Sequence, residues 1–289
     1  MQDALIFCRF VHFSSVLLLL GLCLSRYGIF AALLSPGAVG PLDRRLARGM
    51  RGLAALGMLS GIAWLVLTGA SMGGSWQDGI DPQTLLLVLG NTFFGHVWSW
   101  HLLLNALLLI AVLRHSPTVW QLLLSALLLI TLAPIGHGAM FDGLRGQLLI
   151  CNQALHLLAV ATWLGSLALL ILLLTTTSEA SMRALLRRFS GVGYGLVAVT
   201  ILTGLINVRA LSGALWPTPV FAGFGLILAI KLAMVLCMLA LALFNRWQVQ
   251  DPNRPLAALK TSITLECLFG FAAVAAVSLL GTLPPMLAG

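Results

Sequence analysis

Of 289 residues, 60% are hydrophobic and only 8% charged, and the mean hydropathy is +1.04. An ordinary soluble domain carries about 25% charged residues, so a water-facing exterior is excluded and lipid must solvate most of the surface. The net charge of +8 comes from cations dispersed over short loops, densest at Arg44, Arg45, Arg48 and Arg51. No aromatic-interleaved basic surface accompanies them, so no nucleic-acid partner is expected.

In chain order, apolar stretches long enough to cross a hydrocarbon core of about 30 Å lie near residues 4–25, 50–70, 93–113, 119–135, 148–174, 189–211, 220–245 and 261–283. The fold class predicted is all-α integral membrane, with eight transmembrane helices in a single polytopic domain over residues 1–289. The first apolar run, Ala4 to Leu34, carries Arg9 and His12 and lacks the charged start and cleavage site of a signal peptide. It is expected to persist as the first helix. Between the second and third spans, SMGGSWQDGIDPQ reads as a loop and TLLLVLG as a short interfacial helix.

The cysteines at 8, 23, 151, 237 and 267 are scattered, with no CxxC or CxxCH. They read as buried, inert thiols and give no sign of disulfides, a zinc ribbon or covalently attached haem.

Placing the N-terminus outside assigns Arg26, Arg44, Arg45, Arg48, Arg51, Arg114, Arg183, Arg187, Arg188, Arg246, Arg254 and Lys260 to inner loops and helix ends. The outer side then holds Arg9, Arg145 and Arg209, with Lys231 inside a span. This bias predicts both termini outside (N-out/C-out) in a bacterial inner (plasma) membrane.

The two halves match weakly but in order. His12 precedes Gly21 by nine residues, and His156 precedes Gly165 by nine. Leu67-Thr68-Gly69 matches Leu202-Thr203-Gly204, and Phe94-Gly95 with His101 matches Phe224-Gly225 with Lys231. Gln121 stands fifteen before Gly136, as Glu266 does before Gly281. Four helices per copy keep the same orientation, so two parallel four-helix repeats are expected, 1–140 and 148–283.

Ionisable side chains inside a bilayer are costly and usually face the bundle interior, which makes each a functional candidate. His12 and His156 fall about two turns into their spans from the outer side, and His101 lies in the outer third of the third span. His137 and Met140 stand where the fourth span emerges. Imidazole and thioether together suit copper. Asn152 shares a helix face with His156, Arg9 with His12, and Asn105 with His101, so these are predicted to orient the rings. A single intramembrane histidine is more often a helix-to-helix hydrogen bond. For His12 and His156 the equivalent repeat positions favour a shared site, and they are expected to face one another with His137 at the mouth. His96 and His115 sit at span ends and read as interfacial, which leaves His96 or His101 as the added ligand. Lys231 and Glu266 are predicted to form an intramembrane charge pair, either structural or on an ion path.

The segments RFVHF, Gly136-His137, NQALHLLAVATWLGSL around His156, Lys231 with the helix ending in Asn245-Arg246, and LECLFG with Glu266 resemble the copper resistance protein D (CopD/PcoD) family over nearly the whole chain. The resemblance implies an inner-membrane protein of copper homeostasis that moves copper, as Cu(I) or Cu(II), from periplasm toward cytoplasm. It also implies a periplasmic copper-binding partner of the CopC type. His12, His137 and His156 match the family's pattern positions.

No nucleotide-binding signature is present, so ATP-driven pumping is not expected and the chain reads as a permease, not an enzyme. The alternative is a membrane electron-transfer protein holding haem b between two imidazoles, for which His12 and His156 at equal depth are the candidate axial ligands.

Overall fold

The computed structural model describes residues 1–34, 40–135, 141–174, 177–213, 216–217, 222–250 and 256–283. Within them the chain forms α1 (Gln2–Leu24), α2 (Gly40–Gly73), α3 (Pro82–Asn91), α4 (Phe93–Leu113), α5 (Thr118–Ile130), α6 (Gly143–Leu173), α7 (Glu179–Ser212), α8 (Gly223–Gln250) and α9 (Leu256–Leu280), with no strand. All except α3 are long and apolar enough, with the turns that extend them, to cross a membrane: eight in total. Large side chains such as Leu59, Trp100, Leu148, Leu202 and Trp247 are more than half exposed. Lipid must cover such a surface.

The short helix expected over TLLLVLG forms as α3, with Asp81 as its N-cap. The carboxylate accepts from Thr84 N at 2.9 Å and from Thr84 Oγ1 at 2.8 Å, and these bonds hold its pKa below the usual carboxylate range.

Two helices begin about ten residues before the predicted spans. α2 starts at Gly40 because Leu42, Leu46 and Met50 recur every four residues and are buried, while Arg44, Arg45 and Arg48 face outward. α7 starts at Glu179 on the same principle, burying Met182, Leu185, Leu186 and Phe189. A hydropathy window averages over faces and ends a span at the first arginines. The helix itself continues as long as one face has something to bury.

α1 and α6 run through the middle of the assembly. α1 packs on α2, α5, α6 and α9, and α6 also packs on α7 and α9. They approach most closely where Gly21 meets Gly165. A Cβ on Gly21 would overlap the Ala161 carbonyl and come within 2.9 Å of Gly165 Cα, and one on Gly165 would overlap the Gly21 backbone. Only hydrogen side chains permit this contact. Below it, α1 loosens into a π-turn at Ser25–Ile29. There Arg26 forms a bidentate pair with Asp43 of α2, Nε to Oδ1 at 2.8 Å and Nη2 to Oδ2 at 3.0 Å.

Candidate metal-binding site

α1 and α4 bring His12 and His101 together. Both are fully buried, and their Nε2 atoms lie 2.8 Å apart. A hydroxyl stands behind each ring. Ser60 Oγ donates to the Leu56 carbonyl at 2.6 Å and lies 3.0 Å from His12 Nδ1. Thr131 Oγ1 likewise donates to the Leu128 carbonyl at 2.7 Å and lies 2.7 Å from His101 Nδ1. The 2.8 Å between the Nε2 atoms is a hydrogen-bond distance, met when one ring carries its hydrogen on Nε2 and turns it toward the Nε2 lone pair of the other.

Aromatic side chains wall this pair. Trp98 stacks on His101 at 4.6 Å and 10° and anchors itself through Nε1 to the Gly61 carbonyl at 2.9 Å. Trp64 stands perpendicular to His12 at 5.6 Å, and Arg9 lies over the Trp64 ring at 4.8 Å. Arg9 thus reaches the site through Trp64 and makes no hydrogen bond to His12. Cys8, one turn from His12, donates its thiol hydrogen to the Ser60 carbonyl at 3.2 Å. Asn105 is fully buried one turn from His101 but does not bond to it, and neither its Nδ2 nor its Oδ1 has a partner among the described residues.

His156 does not face His12. Its Nδ1 donates to Thr203 Oγ1 at 2.8 Å, and Thr203 Oγ1 donates to the Val199 carbonyl at 2.5 Å. The same ring orientation results, but the His156 ring opens onto a cavity that Lys231 also lines. The reason is helical geometry: α1 and α6 meet at Gly21 and Gly165, nine residues after each histidine. Nine residues are about two and a half turns, so each imidazole leaves the opposite side of its helix. The matched register of the second helices also shifts. Ser60-Gly61, not Leu67-Thr68-Gly69, holds beside His12 the place that Thr203-Gly204 holds beside His156. The two registers differ by eight residues, about two turns and 80°, so the sequence match and the structural match are distinct.

Asn152 does not touch the His156 ring. Its Nδ2 donates to the Thr203 carbonyl at 3.0 Å and to Asn207 Oδ1 at 2.8 Å, and so it braces the helix that carries Thr203. Lys231 and Glu266 form no pair. Glu266, 1% exposed, accepts from Trp163 Nε1 at 2.7 Å and from Asn245 Nδ2 at 2.9 Å, and the ion pair found among the described residues is Arg26 with Asp43. Hydrogen-bond donors on α6 and α8 take the place assigned to the lysine. His96 donates to the Gly90 carbonyl at 2.8 Å, so of His96 and His101 it is the latter that joins His12. His137 and Met140 lie outside the described residues. Among those described, no group of three or more His, Cys, Asp or Glu side chains converges.

Sequence reasoning missed Ser60, Thr131 and Thr203, the hydroxyls bonded to Nδ1 of the three rings, and Trp163 and Asn245, the partners of Glu266. The spacing of Trp98 and His101, three residues apart on one helix face, is a signal for the stacked wall.

The comparisons with known proteins agree over the full length. Residues 1–147 match the model of the copper resistance protein D-like N-terminal domain, and residues 183–280 that of copper resistance protein D. The chain is 30% identical to the inner membrane protein YebZ of Escherichia coli (strain K12), over 96% of this chain and 97% of that protein. It is 29% identical to copper resistance protein D of Pseudomonas syringae pv. tomato, over 99% of this chain and 98% of that one. The copper transport protein CutJ of Bacillus subtilis (strain 168) is 25% identical over 83% of this chain and 46% of its own length. No solved structure matches significantly. With eight membrane-crossing helices and this agreement from end to end, the chain is a multi-pass inner-membrane protein and belongs to the copper resistance protein D family.

Proposed function

We propose that the chain is a copper permease that carries the ion from the outer side of the inner membrane toward the cytoplasm, with His12 and His101 as its intramembrane ligands. One observation carries this reading: two buried imidazoles turn their Nε2 atoms toward each other, with the Ser60 and Thr131 hydroxyls behind their Nδ1 atoms. Neutral imidazole suits copper, and hydroxyls behind the rings fix the donor atoms. Metal–nitrogen bonds of about 2 Å set a linear two-coordinate span of about 4 Å. The rings at 2.8 Å must therefore part by roughly 1 Å to take the ion, and they close again when it leaves. Two ligands, not a closed cage, suit a site that must release its cargo.

His137 and Met140 follow Thr131 by six and nine residues, so the chain that carries them leaves the helix end that supports His101. We assign them to copper entry. His156 stays out of the copper site, because Lys231 lines its cavity with a positive charge. The family membership supports a role in copper handling, and a periplasmic donor of the CopC type is the partner this reading expects. Transport proceeds by binding and release, without bond chemistry. Haem between His12 and His156 has no support, since their rings point apart.

Two parallel four-helix repeats, 1–140 and 148–283, with both termini outside, complete the proposal. The matched hydroxyl–glycine pairs beside His12 and His156 and the Gly21–Gly165 contact at the centre support it.

Copper titration of the purified protein tests the site. His12→Ala and His101→Ala are each expected to abolish stoichiometric binding, with His156→Ala retaining it. Full occupancy in His101→Ala, or loss confined to His156→Ala, overturns the assignment.

A further inference from the structure

The cavity beside His156 differs in its lining from the His12–His101 pair. It encloses about 210 Å³ among α1, α6, α7, α8 and α9. Arg9, Gln153, His156, Asn207 and Lys231 line it toward the membrane side where α1, α6 and α8 begin and α7 ends. Deeper along these helices the walls are apolar, formed by side chains such as Leu164, Met238 and Val274. The corresponding space in the first half is filled. Trp64 stands one turn beyond Ser60 and covers His12, whereas Asn207 stands one turn beyond Thr203.

The charge of this cavity is unbalanced. No Asp or Glu lines it, and the neighbouring carboxylate, Glu266, is held by Trp163 and Asn245. Lys231 has no hydrogen-bond or ion-pair partner among the described residues. The guanidinium of Arg9 rests on aromatic faces, and its buried Nε is unpartnered among the same residues. Two cations within a membrane span, without an anion, are costly.

We propose that the cavity binds an amphiphile with an anionic oxygen head group, carboxylate or phosphate ester, its head on Arg9 and Lys231 and its chain along Leu164, Met238 and Val274. The polar end lies toward one membrane face and the apolar end toward the middle, the orientation a lipid already has. Asn207 and Gln153, themselves joined by a 2.8 Å hydrogen bond, present further polar atoms beside the head. This site is separate from the copper pair and stands whether or not that reading holds.

Calorimetric titration of the lipid-stripped full chain in a nonionic maltoside detergent tests it, with laurate, methyl laurate and dilauroyl phosphatidylglycerol as probes. Laurate or the phosphatidylglycerol should bind one to one, and the stronger of the two identifies a free fatty acid or a phospholipid as the source. Methyl laurate should bind at least tenfold more weakly. Lys231→Met should weaken the anionic probe at least tenfold. Lys231→Arg should retain binding and serves if the methionine variant does not fold. Asn207→Trp, which returns the ring found at Trp64, should abolish binding and leave copper binding intact. Equal affinity for methyl laurate, no binding of either anion, or undiminished binding in Lys231→Met or Asn207→Trp overturns the proposal.

Discussion

Gly21 and Gly165 meet backbone to backbone at the centre of the molecule, and this contact turns His12 and His156 away from each other. The nine-residue interval that relates the two histidines in sequence also places each on the far side of its helix from the contact. A substitution here has no room to relax, because the opposing atoms are main chain. Gly21→Leu should lower the thermal midpoint of the detergent-solubilised protein or prevent folding, at a cost of about 1–3 kcal/mol or more from overpacking. Gly49→Leu, at a position with open space, is the control and should change the midpoint little. Equal midpoints for the two variants would show that α1 and α6 do not touch in this way.

That geometry also marks how far the sequence was legible. Eight spans and the short α3 follow from hydropathy and capping, because lipid imposes a length and polarity code that is local in the chain. His12 and His101 both stand out as intramembrane imidazoles. Which of them meet depends on helix placement: α2 and α5 each pack on both α1 and α4 and so bring the two side chains together, a tertiary fact. The glycines held part of the answer: equivalent small residues at Gly21 and Gly165 mark the faces in contact, so the histidines half a turn away had to part. Glu266 was legible as a buried polar group, but its partners Trp163 and Asn245 come from other helices with no spacing to reveal them.

Copper on both Nε2 atoms requires both ring hydrogens on Nδ1, which gives a graded test. Ser60→Ala removes the acceptor available to a hydrogen on His12 Nδ1, and Thr131→Val does the same for His101. Each should weaken copper binding about 10- to 100-fold, the usual effect of deleting a group that orients a metal-binding histidine. Thr203→Val serves as the matched control, since it unfastens only His156, and should leave copper affinity unchanged. Competition against a chelator of known affinity measures all three. Unchanged affinity in both Ser60→Ala and Thr131→Val would remove the role assigned to the hydroxyls.

Lys231 and Glu266 should behave as independent sites. In a double-mutant cycle on unfolding free energy, Lys231→Met and Glu266→Gln are expected to be additive within about 0.5 kcal/mol, as for residues without shared partners. Glu266→Leu, by contrast, strands the buried Trp163 and Asn245 donors and should destabilise by about 1–3 kcal/mol. A coupling energy well above the additive range would restore the direct charge pair.

The orientation of the chain rests on its arginines, and α2 shows how they act. Its 34 residues span about 51 Å at 1.5 Å per residue, well beyond a hydrocarbon core of about 30 Å. The excess includes the turns that bear Arg44, Arg45, Arg48 and Arg51, where Leu42 and Leu46 are buried and the first three arginines face outward. Near an anionic leaflet each such cation contributes about 1 kcal/mol, and the inner side holds twelve of them under the proposed topology. An alkaline phosphatase fused after residue 283 should therefore be active, and one fused at Ser178, in the loop before α7, inactive. Replacing Arg44, Arg45, Arg48 and Arg51 with Gln removes four of the twelve and leaves Arg183, Arg187 and Arg188 at the head of α7, so the fusion after residue 283 should stay active. An inactive fusion there in the unmodified protein would invert the topology and with it the side from which copper reaches His12 and His101.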